Sequence, residues 1–223
     1  MMTDTAATLL ALTRTRLLAV AASLALAGLA WPSLVWANQA IDQFEQFVKT
    51  VTAARGTFKQ YTVSSDGRTG RAQTGVFAFD RPGKFRWDIE APYPQQVASD
   101  GRTLYQHDPD LQQLTLRALD QSIGSSPAAI LFGEGKLEDA FDVSALPDAE
   151  GMAWLRAVPK RPDAGLTQVD IGMREGRPAR LMLVDGFGQT TQVDLLTLRA
   201  QSEFGANEFV IEPPAGTDVV RMQ

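Results

Sequence analysis

Serine-hydrolase chemistry in this chain would depend on its single histidine, because the nucleophile needs an imidazole as general base. His107 lies beside Asp108. The best candidate nucleophile lies in the run Gly124–Ala128 (Gly-Ser-Ser-Pro-Ala), which departs from the Gly-x-Ser-x-Gly elbow at its last position. No strand-to-helix pattern surrounds that run. The sequence therefore does not predict a Ser-His-Asp triad.

Paired carboxylates, glycine-rich loops and thiolates are the other common sources of chemistry. Asp88 and Glu90 lie two residues apart on one strand face, and glycosidases use a pair of carboxylates. Charged residues on an exposed sheet face are far more common than such a catalytic pair. Gly186-Phe187-Gly188 lacks the third glycine of a phosphate-binding loop. There is no cysteine, and no metal-ligand spacing appears. We therefore expect no enzyme, metal or cofactor; a secreted hydrolase using carboxylates is the alternative from another functional class.

The first 37 residues have the three parts of a secretory signal peptide. Thr13–Arg16 carries two arginines, Leu17–Trp31 is uncharged and apolar, and Val35-Trp36-Ala37 resembles a cleavage site. The apolar run is short for a membrane span, which needs about 20 residues, and it ends at Pro32. We expect cleavage after Ala37, leaving one exported domain at residues 38–223.

Charge and cysteine content narrow the possible partners. The net charge is −5, and removal of a basic leader makes the mature chain more acidic still. Such a protein is a poor match for nucleic acid or for an anionic membrane surface. Without cysteine, we expect a fold that needs no disulfide and a mature chain with no acylated N-terminal cysteine.

The hydrophobic pattern predicts one helix followed by many strands. Asn38 suits an N-cap, and the helix should bury a stripe with helical spacing: Ile41, Phe44, Phe47, Val48 and Val51. The predicted strands are 57–63, 75–79, 85–89, 95–99, 103–107, 112–117, 152–158, 166–173, 179–184, 190–202 and 209–212. They follow one another through short turns such as Asp100-Gly101, which predicts an antiparallel meander.

One short segment between the strands differs from the rest. Ser126 suits an N-cap, Pro127 suits the first helical position, and only apolar residues follow as far as Phe132. A helix of under two turns is not stable alone in water, so this one must lie on an apolar surface. Gly124 before it, and Gly133 and Gly135 after it, leave it free to move.

Two neighbouring strands carry aromatic side chains on one face. Only one register buries both rows together, and it makes three pairs: Phe79 with Phe85, Phe77 with Trp87, and Gly75 with Ile89. Arg81 then stands at the tip of the connecting turn. An ordinary sheet core and a solvated turn residue would give the same pattern, so these residues alone do not define a site.

The run Phe79–Trp87 resembles the Arg-Pro-x-x-Phe-x-Trp signature of the LolA family, the periplasmic carriers of outer-membrane lipoproteins. Val97–Leu104 resembles the Ser-Asp-Gly-x-Thr-Leu hairpin of that family, and Ser126–Phe132 resembles its lid helix. Phe209–Gly216 resembles its C-terminal strand and turn. The segments occur in family order and span nearly all of residues 38–223. At the lid, Ala128 and Ala129 replace residues that are commonly bulky in the family.

The resemblance implies a mainly β fold with some α: an incomplete antiparallel β-barrel with a helical lid over an apolar cavity. It implies a monomeric periplasmic carrier that accepts lipoproteins from the inner-membrane transporter LolCDE and delivers them to the outer-membrane receptor LolB. Arg81 matches the arginine that locks the lid, and Phe85 matches a phenylalanine needed to accept cargo. The alternative is a related open-barrel protein that binds or senses another lipid.

The resemblance also identifies a candidate acyl-chain surface, made of the aromatic hairpin and the lid helix. Its expected members are Phe77, Phe79, Phe85, Trp87, Ile89, Ile130, Leu131 and Phe132. All eight are apolar, as shielding of a hydrocarbon chain requires.

Overall fold

The computed structural model describes residues 39–119, 127–132, 136–161 and 165–222. The expected signal peptide, the caps Asn38 and Ser126, and the three glycines around the lid lie outside these ranges. Within them, no helix has both the length and the apolar character that a membrane crossing requires.

The described chain forms three helices and twelve strands in one sheet. The helices are α1 (Gln39–Thr50), α2 (Pro127–Phe132) and α3 (Leu137–Ala140). The strands are β1 (Ala53–Val63), β2 (Gln73–Asp80), β3 (Lys84–Ala91), β4 (Gln95–Asp100), β5 (Thr103–Asp108), β6 (Gln113–Ala118), β7 (Phe141–Ala149), β8 (Met152–Pro159), β9 (Gln168–Arg174), β10 (Arg177–Val184), β11 (Thr190–Ala200) and β12 (Asp218–Arg221).

The sheet consists of two antiparallel meanders that share a central seam. Strands β1 to β6 are neighbours in order, as are β7 to β11, and β1 pairs with β11 to join the two groups. The strand order therefore runs from β12 through β6 to β1 and then from β11 to β7, with both ends unpaired. The predicted mainly β, unclosed antiparallel sheet is confirmed, with one exception: β12 pairs with β6 in parallel.

Two parts of the sequence prediction were incomplete or wrong. Strands β7 and β12 and helix α3 were not predicted. In β7, Pro147 and two aspartates obscure the alternation. The predicted strand at Phe209–Glu212 is wrong. Phe209 and Ile211 are buried, but residues 209–212 pair with no described strand. Pro213 and Pro214 follow them, and neither has a backbone N–H to donate to a ladder.

The helices cover one face of the sheet, here called the inner face. Helix α1 packs on β7 to β10, and α2 packs on β2 and β3. Within α1, Phe44 and Phe47 are buried while Ile41 and Val48 are partly buried. Phe44 and Phe47 therefore lie at the centre of the predicted apolar stripe. Both helices contribute to one continuous core with the inner side chains of the strands.

Candidate functional site

The aromatic hairpin has the predicted register. Strand β2 pairs with β3 so that Phe79 is opposite Phe85 and Phe77 is opposite Trp87, and Gly75 is opposite Ile89. All the apolar members of these pairs are buried on the inner face. Alternation along the strands therefore places a continuous aromatic surface at the centre of the core.

Strand β1 adds an aromatic side chain that sequence reasoning missed. The Phe58 ring stacks on Trp87 with centroids 3.9 Å apart. Glycines make room for these rings: a Cβ atom on Gly75 would lie 2.7 Å from the Phe58 ring, and one on Gly56 would lie 2.3 Å from the Phe77 ring. A glycine opposite an aromatic residue on a neighbouring strand is the sequence signal that could have identified Phe58.

Helix α2 lies directly on the aromatic surface. Every residue after Pro127 in this helix is buried. The Phe132 ring stacks on Phe79 with centroids 4.2 Å apart and on Phe77 at 5.4 Å. Ala128 and Ala129 are also buried. The lid therefore fills the apolar interior with its own phenylalanine.

Arg81, in the turn between β2 and β3, is hydrogen-bonded to helix α2. Its Nη2 donates to the Leu131 carbonyl oxygen at 2.8 Å, and its Nε donates to the Val51 carbonyl oxygen at 3.3 Å. Its guanidinium carbon lies 5.0 Å from the centroid of Phe79, with Phe47 and Phe132 also within 6 Å. Burial lowers the pKa of Arg81 to about 10, so the group stays charged at neutral pH.

The eight expected acyl-chain residues belong to a single core cluster: Phe77, Phe79, Phe85, Trp87, Ile89, Ile130, Leu131 and Phe132. The same cluster includes aliphatic side chains from the second meander that were not predicted, among them Leu155, Ile171, Leu181 and Val193. They occupy alternate, inner-facing positions, so alternation alone could have identified them. The apolar surface thus spans both meanders.

Polar groups of the same hairpin lie on the opposite, outer face. Arg86 and Asp88 form an ion pair at 2.7 Å. Residues 201–217, here called the C-terminal strap, approach this face, and a cleft of about 580 Å³ separates strap and sheet beside Arg86, Asp88 and Glu208. Arg55 reaches the strap through an ion pair with Glu208 at 3.1 Å.

The structure describes only some of the groups considered for catalysis. His107 is buried on the outer side of β5, where its Nδ1 lies within hydrogen-bond distance of the Gln96 Oε1, at 3.0 Å. The candidate nucleophiles Ser125 and Ser126 lie outside the described residues. Among the residues that the structure describes, no cluster of three or more His, Asp or Glu side chains is placed to hold a metal ion.

Residues 49–212 match the family described as outer membrane lipoprotein carrier protein LolA. The chain belongs to the LolA family. An outer-membrane lipoprotein carrier protein of Bordetella pertussis is 56% identical over 187 residues, which cover 84% of this chain and 89% of the relative. A Dechloromonas aromatica protein of the same name is 42% identical, over 81% of this chain and 87% of the relative.

A solved structure of an uncharacterised conserved protein from Thermus thermophilus has a similar fold, with a TM-score of 0.51. Its sequence is 12% identical, and the match covers 83% of this chain and 98% of that protein. The LolA-family match includes the whole hairpin that carries the Arg-Pro-x-x-Phe-x-Trp run, together with α2. The family assignment therefore covers both parts of the candidate site.

Proposed function

We propose that this protein is a monomeric, non-catalytic periplasmic carrier, exported by a signal peptide cleaved after Ala37. It takes lipoproteins from the inner-membrane transporter LolCDE, shields their acyl chains on the inner face, and hands them to the outer-membrane receptor LolB. The acyl chains contact the eight apolar residues of the hairpin and lid named above. Membership of the LolA family supports the carrier role.

One observation carries this proposal: the lid's own Phe132 occupies the apolar interior. Its ring stacks on Phe79, and Arg81 holds the preceding carbonyl group, that of Leu131. A hydrocarbon chain that replaces Phe132 would meet the same aromatic and aliphatic surfaces. The interior is thus suited to a flexible apolar ligand and offers few groups for polar recognition.

Acyl chains need such cover because their exposure to water is costly. Each exposed CH₂ group costs about 0.8 kcal/mol, so a chain of about 16 carbons costs on the order of 12 kcal/mol. A carrier must also release this cargo. A lid that closes over the empty interior lowers the net affinity, because cargo binding must supply the free energy of opening. In this view Arg81 sets the cost of opening, and Phe85 supports acceptance of cargo at the transporter.

The substitution Arg81→Leu tests the gate. It removes the hydrogen bond to the Leu131 carbonyl, which exists only while the lid is closed and is worth about 0.5–1.5 kcal/mol, so apparent cargo affinity should rise about twofold to tenfold. The variant should release lipoprotein from spheroplasts as the wild type does, yet transfer little of it to receptor-bearing membranes. Loaded carrier should therefore accumulate.

Arg102→Leu is the matched control, because Arg102 is an exposed arginine in another turn of the sheet, the one between β4 and β5. It should leave release and transfer unchanged. Equal transfer by wild type and Arg81→Leu would refute the gate. A pull-down with the periplasmic part of the transporter separates the proposal from the alternative, a protein that binds or senses another lipid. Absence of that complex would support the alternative.

A further inference from the structure

The two helices of the inner face meet at one side chain. Val51, which follows α1, and Leu131, within α2, both present a carbonyl oxygen to the Arg81 guanidinium. Helix α1 packs on β7 to β10, whereas α2 packs on β2 and β3. Arg81 therefore joins the cover of one meander to the cover of the other.

Phe47 of α1 provides part of the surroundings of this guanidinium. The guanidinium carbon lies over the Phe47 ring, 5.6 Å from its centroid. Phe47 is 1% exposed, and its ring meets Phe79 edge-on with centroids 6.3 Å apart. A buried guanidinium loses water, and aromatic ring faces replace part of that lost stabilisation.

Opening of the lid would break some contacts of Arg81 and leave others in place. Departure of α2 removes the Leu131 carbonyl and the Phe132 ring. The Val51 carbonyl and the rings of Phe47 and Phe79 belong to other elements and can remain. The side chain then keeps one hydrogen bond and two ring faces.

Helix α1 is suited to the role of a fixed support. It has twelve residues, against six in α2. Its buried face carries Phe44 and Phe47, while its exposed face carries the ion pair between Glu45 and Lys49, at 3.1 Å. An amphipathic helix of this kind remains covered on its apolar side and solvated on the other. Helix α2 has no charged residue.

We propose that Phe47 is a positioning residue for the gate: it holds the Arg81 guanidinium beside Val51 so that the returning lid finds its hydrogen-bond donor in place. The inference rests on the proposed gate and adds α1 to it as the stationary partner. Phe47 acts through Arg81, so its loss has consequences only while Arg81 is present.

A double-mutant cycle tests this coupling, with affinity for a fluorescent sixteen-carbon fatty acid as the measurement. Phe47→Leu keeps an apolar side chain but removes the ring face. In the wild-type background it should tighten probe binding about twofold to tenfold, because it weakens the closed state. In the Arg81→Leu background the same change should have no effect. The Arg81 Nε–H resonance should also move in Phe47→Leu, because one of its three neighbouring rings is removed.

Phe44→Leu is the matched control, because Phe44 is also buried and lies one turn earlier on α1. Its effect on probe binding should be the same in both backgrounds, and the Arg81 resonance should not move. An equal effect of Phe47→Leu in both backgrounds, or none in either, would overturn the inference. Failure of Arg81→Leu itself to tighten binding would overturn the gate and this inference together.

Discussion

The two faces of the β2–β3 hairpin differ in chemistry although they share one backbone. On the inner face, Phe85 and Trp87 of β3 are buried among other rings. On the outer face, Arg86 and Asp88 of the same strand form an ion pair. Because neighbouring residues alternate between the faces, a substitution at the next residue along the strand tests the outer face and serves as a control for each inner position. The proposed acyl-chain surface therefore lies on the face opposite this ion pair.

The covers of the two faces differ as well. The inner cover is α2, a six-residue helix that Arg81 holds through the Leu131 carbonyl. The outer cover is the C-terminal strap, which ends in β12 and its ladder with β6. Arg55 also fixes the strap through Glu208 and through the Phe204 ring, whose centroid lies 4.9 Å from the guanidinium carbon. In the proposed gate, the inner cover is the one that moves.

The largest expected difference between the faces is between Phe85→Glu and Arg86→Gln. A charge at Phe85 would enter the centre of the apolar surface, where burial of an unpaired carboxylate is strongly unfavourable. We expect lipoprotein release from spheroplasts to fall to background with Phe85→Glu and to stay near wild type with Arg86→Gln. Circular dichroism and thermal unfolding must show that both variants are folded.

Phe85 is fully buried, so the charged variant also loses stability. Phe85→Leu therefore serves as a second variant, because it keeps an apolar side chain at the same position. It should fold and should retain most of the release. If Arg86→Gln impaired release as strongly as Phe85→Glu, the distinction between the faces would be wrong.

The hairpin was predictable because its information is local. Alternation, two aromatic rows and a short turn permit one register, and the structure has it. The Asp100-Gly101 turn was equally accessible: the Asp100 carboxylate accepts the backbone N–H groups of Arg102 and Thr103 at 2.9 and 2.8 Å. Burial raises the pKa of Asp100, but these bonds outweigh it and leave the pKa below its usual value.

The second expected difference is between Phe132→Ala on the inner cover and Phe209→Ala on the outer cover. Removal of a buried phenylalanine ring costs about 3–5 kcal/mol of packing. For Phe132 the loss affects only the closed state, so fatty-acid affinity should rise at least tenfold while the unfolding free energy falls modestly. For Phe209 the unfolding free energy should fall by about 3 kcal/mol with affinity unchanged.

Fluorescent fatty-acid titration and urea denaturation measure the two quantities on the same samples. Equal changes in affinity for the two variants would contradict the assignment of the gate to the inner face. So would a Phe132→Ala variant that loses stability without any gain in affinity.

Long-range contacts set the limit of sequence reasoning at the site and in the strap. The partners of Arg81 come from Val51 and Leu131, thirty and fifty residues away, and no local pattern pairs them. Resemblance to a family identified the arginine, whereas the structure identified Val51 and Phe47 as its further contacts. The alternation of Phe209 and Ile211 is real, but neither residue extends a ladder: Ile211 packs with Ala98 and Leu114, and the Phe209 ring meets the Phe204 ring within the strap.

The smallest expected effect belongs to His107, a buried titratable side chain on the outer side of β5. It is 5% exposed and lies opposite Leu114 of β6, with its Nδ1 3.0 Å from the Gln96 Oε1. His107 is therefore a buried polar side chain with a hydrogen-bond partner on the neighbouring strand. His107→Ala should lower the unfolding free energy by about 1–2 kcal/mol.

Lipoprotein transfer by His107→Ala should equal that of the wild type at a temperature where both are folded, because the proposed acyl-chain surface lies on the other side of the sheet. Gln96→Ala should give a similar, small loss of stability, since it removes the other half of the same contact. A folded His107→Ala variant that accepts lipoprotein but fails to transfer it would show that the outer face takes part in delivery. The contrast between the faces would then apply to shielding of the acyl chains alone, and the receptor would have to contact the outer face near β5.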